Sequence, residues 1–209
     1  MFIVSDIIPR GGLIILELIK AQKSHACDFV DLVLMTGRDF FEGCFGRRVE
    51  RMLRNLYIQE RNLFSHECTW FGLLDAQIVG LIVGYSYDYV KENRLNTGVM
   101  ILKEIGLFRF MNLVKVDGAL GKHSKDEFYL SNLAIYPKFR SMGFGRKLVE
   151  YVFELARQQN CKRVVLDVER ENEVAKALYY KMGFKKISEK RIRVGHHEFC
   201  FERMSFEGL

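Results

Sequence analysis

The stretch from residue 127 to residue 187 decides the fold: EFYLSNLAIYPKFRSMGFGRKLVEYVFELARQQNCKRVVLDVERENEVAKALYYKMGFKKI. It begins with an apolar run, residues 128–135, that Tyr136 and Pro137 close and that predicts a strand. Apolar residues then recur at helical spacing over residues 145–160. A β-branched run at 164–168 predicts a second strand, and residues 172–182 predict a second helix. This order of strand, helix, strand and helix implies a crossover that places two strands parallel in one sheet.

A short glycine-containing loop, residues 140–146, connects the first strand to the first helix. Gly143 and Gly145 allow a tight turn that points backbone N–H groups outward, and the helix that follows adds its positive N-terminal end. Lys138, Arg140 and Arg146 add formal positive charge. The loop therefore has the composition of a phosphate cradle, although a plain strand-to-helix turn with solvated basic residues would look the same.

Two common nucleotide-binding motifs do not fit this loop or its neighbourhood. A dinucleotide-binding fingerprint requires a third glycine where the chain has Leu148. A Walker P-loop requires serine or threonine after Gly121 and Lys122, and the chain has His123 there. Neither of these two nucleotide-binding folds is supported.

A longer succession of residues does match a known pattern. LAIYP at 133–137 is followed by Arg140-x-x-Gly143-x-Gly145, by LDV at 166–168, and by NEVAKALYYKMGF at 172–184. In order, interval and residue type this succession resembles the GNAT family of acetyl-CoA-dependent N-acetyltransferases. The close resemblance covers residues 127–187, and the preceding half of the chain fits the family pattern only loosely.

The resemblance implies how acetyl-CoA would be held. Asn172 resembles the asparagine that contacts the cofactor, and Tyr179 the tyrosine that protonates the departing thiolate. Helix geometry agrees, because positions 172, 175 and 179 share one face, although a helix-capping asparagine and a half-buried tyrosine would have the same spacing. The pantetheine arm and thioester would bind backbone groups of Leu133, Ala134 and Ile135. The pyrophosphate would lie against Arg140, Ser141, Met142, Gly143, Phe144, Gly145 and Arg146.

Acetyl transfer also requires a group that removes a proton from the amine. Glu127 begins the cofactor strand, and Asp167 lies on the next strand at a position where some GNAT members carry a carboxylate base. Either carboxylate could instead be paired with a lysine or arginine. No metal site is expected, because the cysteines show no CxxC spacing and His66 with Cys68 is isolated.

The composition is that of an ordinary globular protein: 209 residues, 49% hydrophobic, with a net charge of +6 that should attract anions. This length favours a single domain over residues 1–209. The longest uncharged apolar run, residues 76–87, is shorter than the roughly 20 residues of a membrane-spanning helix, and residues 1–20 do not resemble a signal peptide. Five widely spaced cysteines predict reduced thiols and a cytoplasmic location.

The pattern outside residues 127–187 is weaker. It predicts a strand at 13–19, a helix capped by Ser24 and ending near Gly37, a second helix at 49–60, and a hairpin of 69–74 with 77–87. Residues 89–126 mix apolar clusters with charges and glycines, so they are interpreted as a partly helical insertion. We expect the insertion to wall the acceptor pocket and to support a possible homodimer, with ordinary core packing as the alternative.

We therefore expect an α/β protein of the GNAT fold, a twisted mixed β-sheet flanked by helices, with an insertion at 89–126 and an acetyl-CoA-binding core at 127–187. The implied function is transfer of acetyl to a primary amine of a small molecule or protein by direct attack on the thioester. The alternative is a non-catalytic acyl-CoA sensor on the same fold. A nucleic-acid-binding module is not expected, because no such motif accompanies the helical arginines Arg47, Arg48, Arg51 and Arg54.

Overall fold

The protein, described by a computed structural model over residues 2–7, 13–117 and 124–209, combines one large sheet with seven helices in those ranges. The strands are β1 (Phe2–Ile7), β2 (Leu13–Lys20), β3 (Thr69–Leu74), β4 (Gln77–Ser86), β5 (Glu127–Ile135), β6 (Arg163–Glu169), β7 (Lys185–Val194) and β8 (His197–Phe206). The helices are α1 (Ala26–Leu34), α2 (Arg38–Phe45), α3 (Val49–Ile58), α4 (Tyr87–Ile105), α5 (Leu107–Asp117), α6 (Phe144–Gln158) and α7 (Glu173–Lys181).

The strands form a mixed sheet in the order β1-β2-β3-β4-β5-β6-β8-β7. β5 and β6 are parallel, and the other neighbouring strands are antiparallel. The parallel pair is joined by the crossover through α6. Two parallel neighbours start at the same end of the sheet, so the chain must cross back along the sheet between them. The α/β class and the strand–helix–strand crossover predicted from the sequence are confirmed.

The sheet separates two apolar cores, one on each face. On one face α1, α3 and α4 bury residues such as Phe29, Tyr57 and Ile101. On the other face α6 and α7 bury residues such as Leu148 and Tyr179. The sheet is therefore flanked by helices on both sides, as the sequence predicted.

The entry to the first helix differs from the prediction. A 3₁₀ turn, Lys23–His25, precedes α1, so His25 occupies the N-cap position and Ser24 does not. The chain then turns at Gly37 and begins a further helix, α2, which the sequence analysis did not predict. Short helices of this kind are stabilised mainly by packing, and α2 contributes Phe41 and Phe45 to the core.

The predicted insertion is largely helical, with α4 and α5 joined at Gly106; its residues 118–123 lie outside the described part of the chain. One face of α4 is buried, and the Thr97 hydroxyl accepts a hydrogen bond from the Leu63 N–H at 3.0 Å. The α5 helix packs against α2 and β7. No helix in the described ranges has the length and hydrophobicity needed to cross a lipid bilayer.

Candidate functional site

The two parallel strands separate partway along their length. β5 and β6 pair from Glu127 with Arg163 to Leu130 with Leu166. Beyond that point β5 continues for five residues and stays paired with β4, while β6 continues for three and stays paired with β8. The result is a V-shaped gap at the carboxyl ends of two adjacent parallel strands, where open α/β sheets bind their ligands.

A β-bulge lies at the start of the gap. Leu130 pairs with Gly84 and Asn132 pairs with Val83, so Ser131 is an extra residue in β5. Side chains of a strand alternate between its two faces, and the extra residue shifts this alternation by one position. Leu130 before the bulge and Leu133 after it therefore both face the α6 core, although they are three residues apart. Asn132 faces α1 instead, and its Nδ2 donates to the Thr36 hydroxyl at 2.8 Å.

The backbone of β5 beyond the bulge offers hydrogen-bonding groups to the gap. The Tyr136 N–H donates to the Val79 carbonyl on β4, and the Ala134 carbonyl lies against Gly80 of the same strand. Because the two sides of an antiparallel strand alternate, the N–H and C=O groups of Leu133 and Ile135 point away from β4 and into the gap. Of the three predicted backbone contacts, the geometry favours these two over Ala134.

The loop after β5 has the backbone geometry of an anion-binding turn. Ser141 and Gly143 have positive φ angles of 62° and 82°, and Gly143 is the N-cap of the 15-residue α6. The N–H groups of the first turn have no acceptor within the helix, and no side chain of residues 2–7, 13–117 and 124–209 caps them. Arg140, Ser141 and Met142 are exposed around this opening, whereas the Phe144 side chain is buried in the core and offers only its backbone.

Two further predicted residues lie on α7 and at its N-cap. The exposed Asn172 caps α7, because its side-chain oxygen accepts a hydrogen bond from the Ala175 N–H at 3.1 Å. The Tyr179 ring is 6% exposed and packs on Phe184, and burial raises the pKa of its hydroxyl well above the usual value. That hydroxyl makes no hydrogen bond to the described residues, so it is available to a bound molecule.

Both predicted carboxylates belong to one buried ion-pair network, hereafter the Arg203 network. Arg203 on β8 lies 3.1 Å from the Asp167 carboxylate and 3.8 Å from that of Glu127. Asp167 also accepts a hydrogen bond from the Tyr129 hydroxyl at 3.0 Å, and Glu127 lies 2.9 Å from Arg163. Arg203 and Tyr129 were not predicted from the sequence, because their partners are distant along the chain.

The two carboxylates occupy different heights in the sheet. Glu127 forms the first pair of β5 with β6, at the closed end of the pair. Asp167 is the first residue of β6 beyond the last pair and therefore lies where the gap begins. Both side chains are almost fully buried: the exposed fraction is 10% for Glu127 and 3% for Asp167.

Two adjoining cavities lie beside the gap, between the α1–α2 turn and the carboxyl end of β6. Their volumes are about 520 and 420 Å³, and they share Gly37, Arg38, Glu169 and Glu171. The smaller cavity also contacts Asn172 and Thr36, and Thr36 accepts a hydrogen bond from Asn132 of β5. The cavities are therefore adjacent to the predicted cofactor residues. Glu169 was not predicted as a site residue.

Comparison with known proteins identifies the class. Residues 35–184 match the Acetyltransferase (GNAT) family, so the chain belongs to this family. Among curated proteins, it is 36% identical over 78 residues to the uncharacterized N-acetyltransferase YobR of Bacillus subtilis, covering 36% of this chain and 32% of that protein. It is also 36% identical over 56 residues to N-alpha-acetyltransferase 30 of Saccharomyces cerevisiae, covering 27% of this chain and 32% of that protein. The matched stretch is thus about a third of each relative.

Solved structures share the fold over most of the chain. An N-acetyltransferase from Staphylococcus aureus Mu50 superposes with a TM-score of 0.66 at 17% identity, covering 91% of this chain and all of that one. Ard1 from Thermoplasma volcanium superposes with a TM-score of 0.59 at 16% identity, covering 93% of this chain and 98% of that one. At these identities the likeness establishes the fold alone.

The residues present fit the acetyl-CoA that this family uses. An extended arm would find the backbone groups of Leu133 and Ile135, and a pyrophosphate would find the first turn of α6. At Gly143 an added Cβ would meet no atom of the described part of the chain within 4 Å, so the turn is open to a ligand on that side. No group of three or more metal-ligating side chains occurs in the described ranges.

Proposed function

We propose that this protein transfers an acetyl group from acetyl-CoA to a primary amine by direct attack of the amine on the thioester. The observation that carries the proposal is the gap between β5 and β6, which opens beside the anion-binding turn of α6. This arrangement supports a pantetheine arm lying between the strands with its pyrophosphate at the helix. Bound acetyl-CoA would supply the activated acetyl group.

Tyr179 is the proposed general acid. Its hydroxyl makes no hydrogen bond to the described residues, and burial raises its pKa, so it carries its proton throughout the neutral range. A thiolate leaving group would take that proton as the carbon–sulfur bond breaks. Asn172 is proposed to contact the cofactor from the start of the same helix.

Asp167 and Glu127 remain the proton acceptors suggested by the sequence, and the geometry supports them unequally. Asp167 lies where the strands separate, whereas Glu127 pairs with Arg163, four positions before Asp167 on β6, in the closed part of the pair. Both side chains are engaged by Arg203. Asp167 is therefore the stronger candidate of the two, and its engagement by Arg203 and Tyr129 limits its access to an amine.

The acceptor is proposed to be an amine on a peptide, a protein or a small molecule. Relatives named as acting on protein amines support the first two: the yeast N-alpha-acetyltransferase and a putative alanine N-acetyltransferase for ribosomal protein bS18 in Bacillus subtilis, 33% identical over 58 residues. The five cysteines are all thiols, which supports the proposed cytoplasmic location. A homodimer through the insertion is a further proposal.

The test combines binding with turnover. Calorimetry should detect acetyl-CoA binding, and thiol release should depend on one member of a panel containing a free N-terminal peptide, an N-blocked lysine peptide and a polyamine. Binding without acetylation of any member would support the alternative, a non-catalytic acyl-CoA sensor. Absence of acetyl-CoA binding would contradict both proposals.

A further inference from the structure

The carboxylate of Glu169 differs from those of Asp167 and Glu127 in having no partner among the residues that the structure describes. Its side chain forms no hydrogen bond or ion pair with any residue that the structure describes, although it is only partly exposed. By contrast, Asp167 and Glu127 are both held by the Arg203 network. A half-buried carboxylate without a partner is costly for a folded protein and is typical of a functional site.

Glu169 is placed where an acceptor amine would approach. It lies two residues after Asp167, so both side chains are on the same face of β6. Glu169 and Leu133 each lie three residues beyond the last pair of β5 with β6. The Glu169 carboxylate approaches the α1–α2 turn at Gly37 and lines both cavities, one of which extends from Thr36 to Asn172.

The charges facing Glu169 favour a cation in the cavity. Arg38 on α2 is paired with Glu42 and Glu50, and Arg170 after β6 is paired with Glu171 and Glu189. Burial, and then the nearby carboxylates of Glu171 and Asp39, raise the pKa of Glu169. The other groups that line the larger cavity are Arg191 on β7 with Glu198 and Cys200 on β8.

From this geometry we infer that Glu169 is the general base: it binds the acceptor as an ammonium ion in the cavity and removes one proton before attack. This inference rests on the proposed acetyl transfer. The neutral amine then forms the carbon–nitrogen bond as the carbon–sulfur bond breaks. Tyr179 gives its proton to the sulfur and regains one from the nitrogen. The products are the amide, the thiol and one proton, which Glu169 returns to solvent through the open cavity.

The test measures kcat/KM from pH 6 to pH 10 for wild type, Glu169→Gln and Asp167→Asn, with the member of the amine panel that wild type acetylates as the acceptor. Glu169→Gln should lower kcat/KM by about 10²–10⁴-fold near pH 7, with unchanged acetyl-CoA affinity and melting temperature. The loss should shrink as the pH rises above the pKa of that amine, about 8 for an α-amino group and about 10.4 for a lysine side chain, because the amine then arrives neutral.

A matched variant tests the cause of the pKa shift. Glu171→Gln removes a neighbouring negative charge that raises the pKa of Glu169, so the midpoint of the acid limb should move to lower pH. A Glu169→Gln variant with wild-type rates would overturn the inference. A loss that is uniform across pH, or a pH-dependent loss confined to Asp167→Asn, would overturn it as well. Wild type that binds acetyl-CoA but acetylates no amine would instead refute the proposed function, and the role of Glu169 with it.

Discussion

Replacing Tyr179 with phenylalanine removes one oxygen atom from a buried ring. The ring contacts with Phe184 remain, and no hydrogen bond to a described residue is lost. The free energy of unfolding should therefore change by less than about 1 kcal/mol, the size of a typical net hydrogen bond. If the hydroxyl protonates the leaving thiolate, kcat should fall by about 10²–10⁴-fold, which corresponds to about 2.7–5.4 kcal/mol of transition-state stabilisation.

The assay is steady-state thiol release with saturating amine, together with calorimetric acetyl-CoA affinity and a melting curve. Tyr180→Phe is the matched control, because the neighbouring tyrosine is half-exposed and lies on another face of α7. A large fall in kcat with Tyr180→Phe and none with Tyr179→Phe would refute the assignment. A Tyr179→Phe variant that loses activity only in proportion to lost stability would refute it too.

The raised pKa of Tyr179 also predicts how kcat depends on pH. Burial raises its pKa above the ordinary value of 10, so the protonated, proton-donating form persists to a higher pH than for an exposed tyrosine. The wild-type kcat profile should consequently show no decline from Tyr179 between pH 8 and pH 10. A basic limb in that interval that disappears in Tyr179→Phe would contradict the raised pKa.

Three further changes test other parts of the structure. Gly143→Ala is strained by about 1–3 kcal/mol at its positive φ, and Gly145→Ala is crowded against α7. Each variant should weaken acetyl-CoA binding measured by calorimetry. Unchanged affinity in both would refute the phosphate cradle. Arg203→Met removes the arginine that pairs with the buried Asp167 and Glu127 carboxylates, while their contacts with Tyr129 and Arg163 remain. Breaking these buried pairs should lower the free energy of unfolding in urea by about 3–5 kcal/mol, and a loss below about 1 kcal/mol would contradict the pairing. Leu107 and Phe108 are 67% and 89% exposed, so replacing both with serine should preserve folding. The double variant should lower the sedimentation coefficient or change the acceptor KM. If both quantities stay at their wild-type values, the proposed role of the insertion is refuted.

The sequence by itself determined the fold of residues 127–187, the part proposed to bind acetyl-CoA. The strand, glycine turn and helix over residues 127–160 are encoded by contiguous periodicity and by Gly143, whose positive φ an L side chain rarely adopts. The hairpin at Asp75 and Ala76 and the cap at Asn172 are equally local. Such features were predictable because their physical causes lie within a few residues of one another.

The tertiary structure alone decided which carboxylates are engaged. Asp167 meets Arg203 only because β8 inserts beside β6, and a hydrophobic pattern does not encode that strand order. The bulge at Ser131 depends on the register of β5 against β4. The exposure of Glu169 to a cavity depends on where the α1–α2 turn packs. Partners and burial arise from packing between distant segments, so the sequence indicated the candidate groups, whereas the fold determined their surroundings.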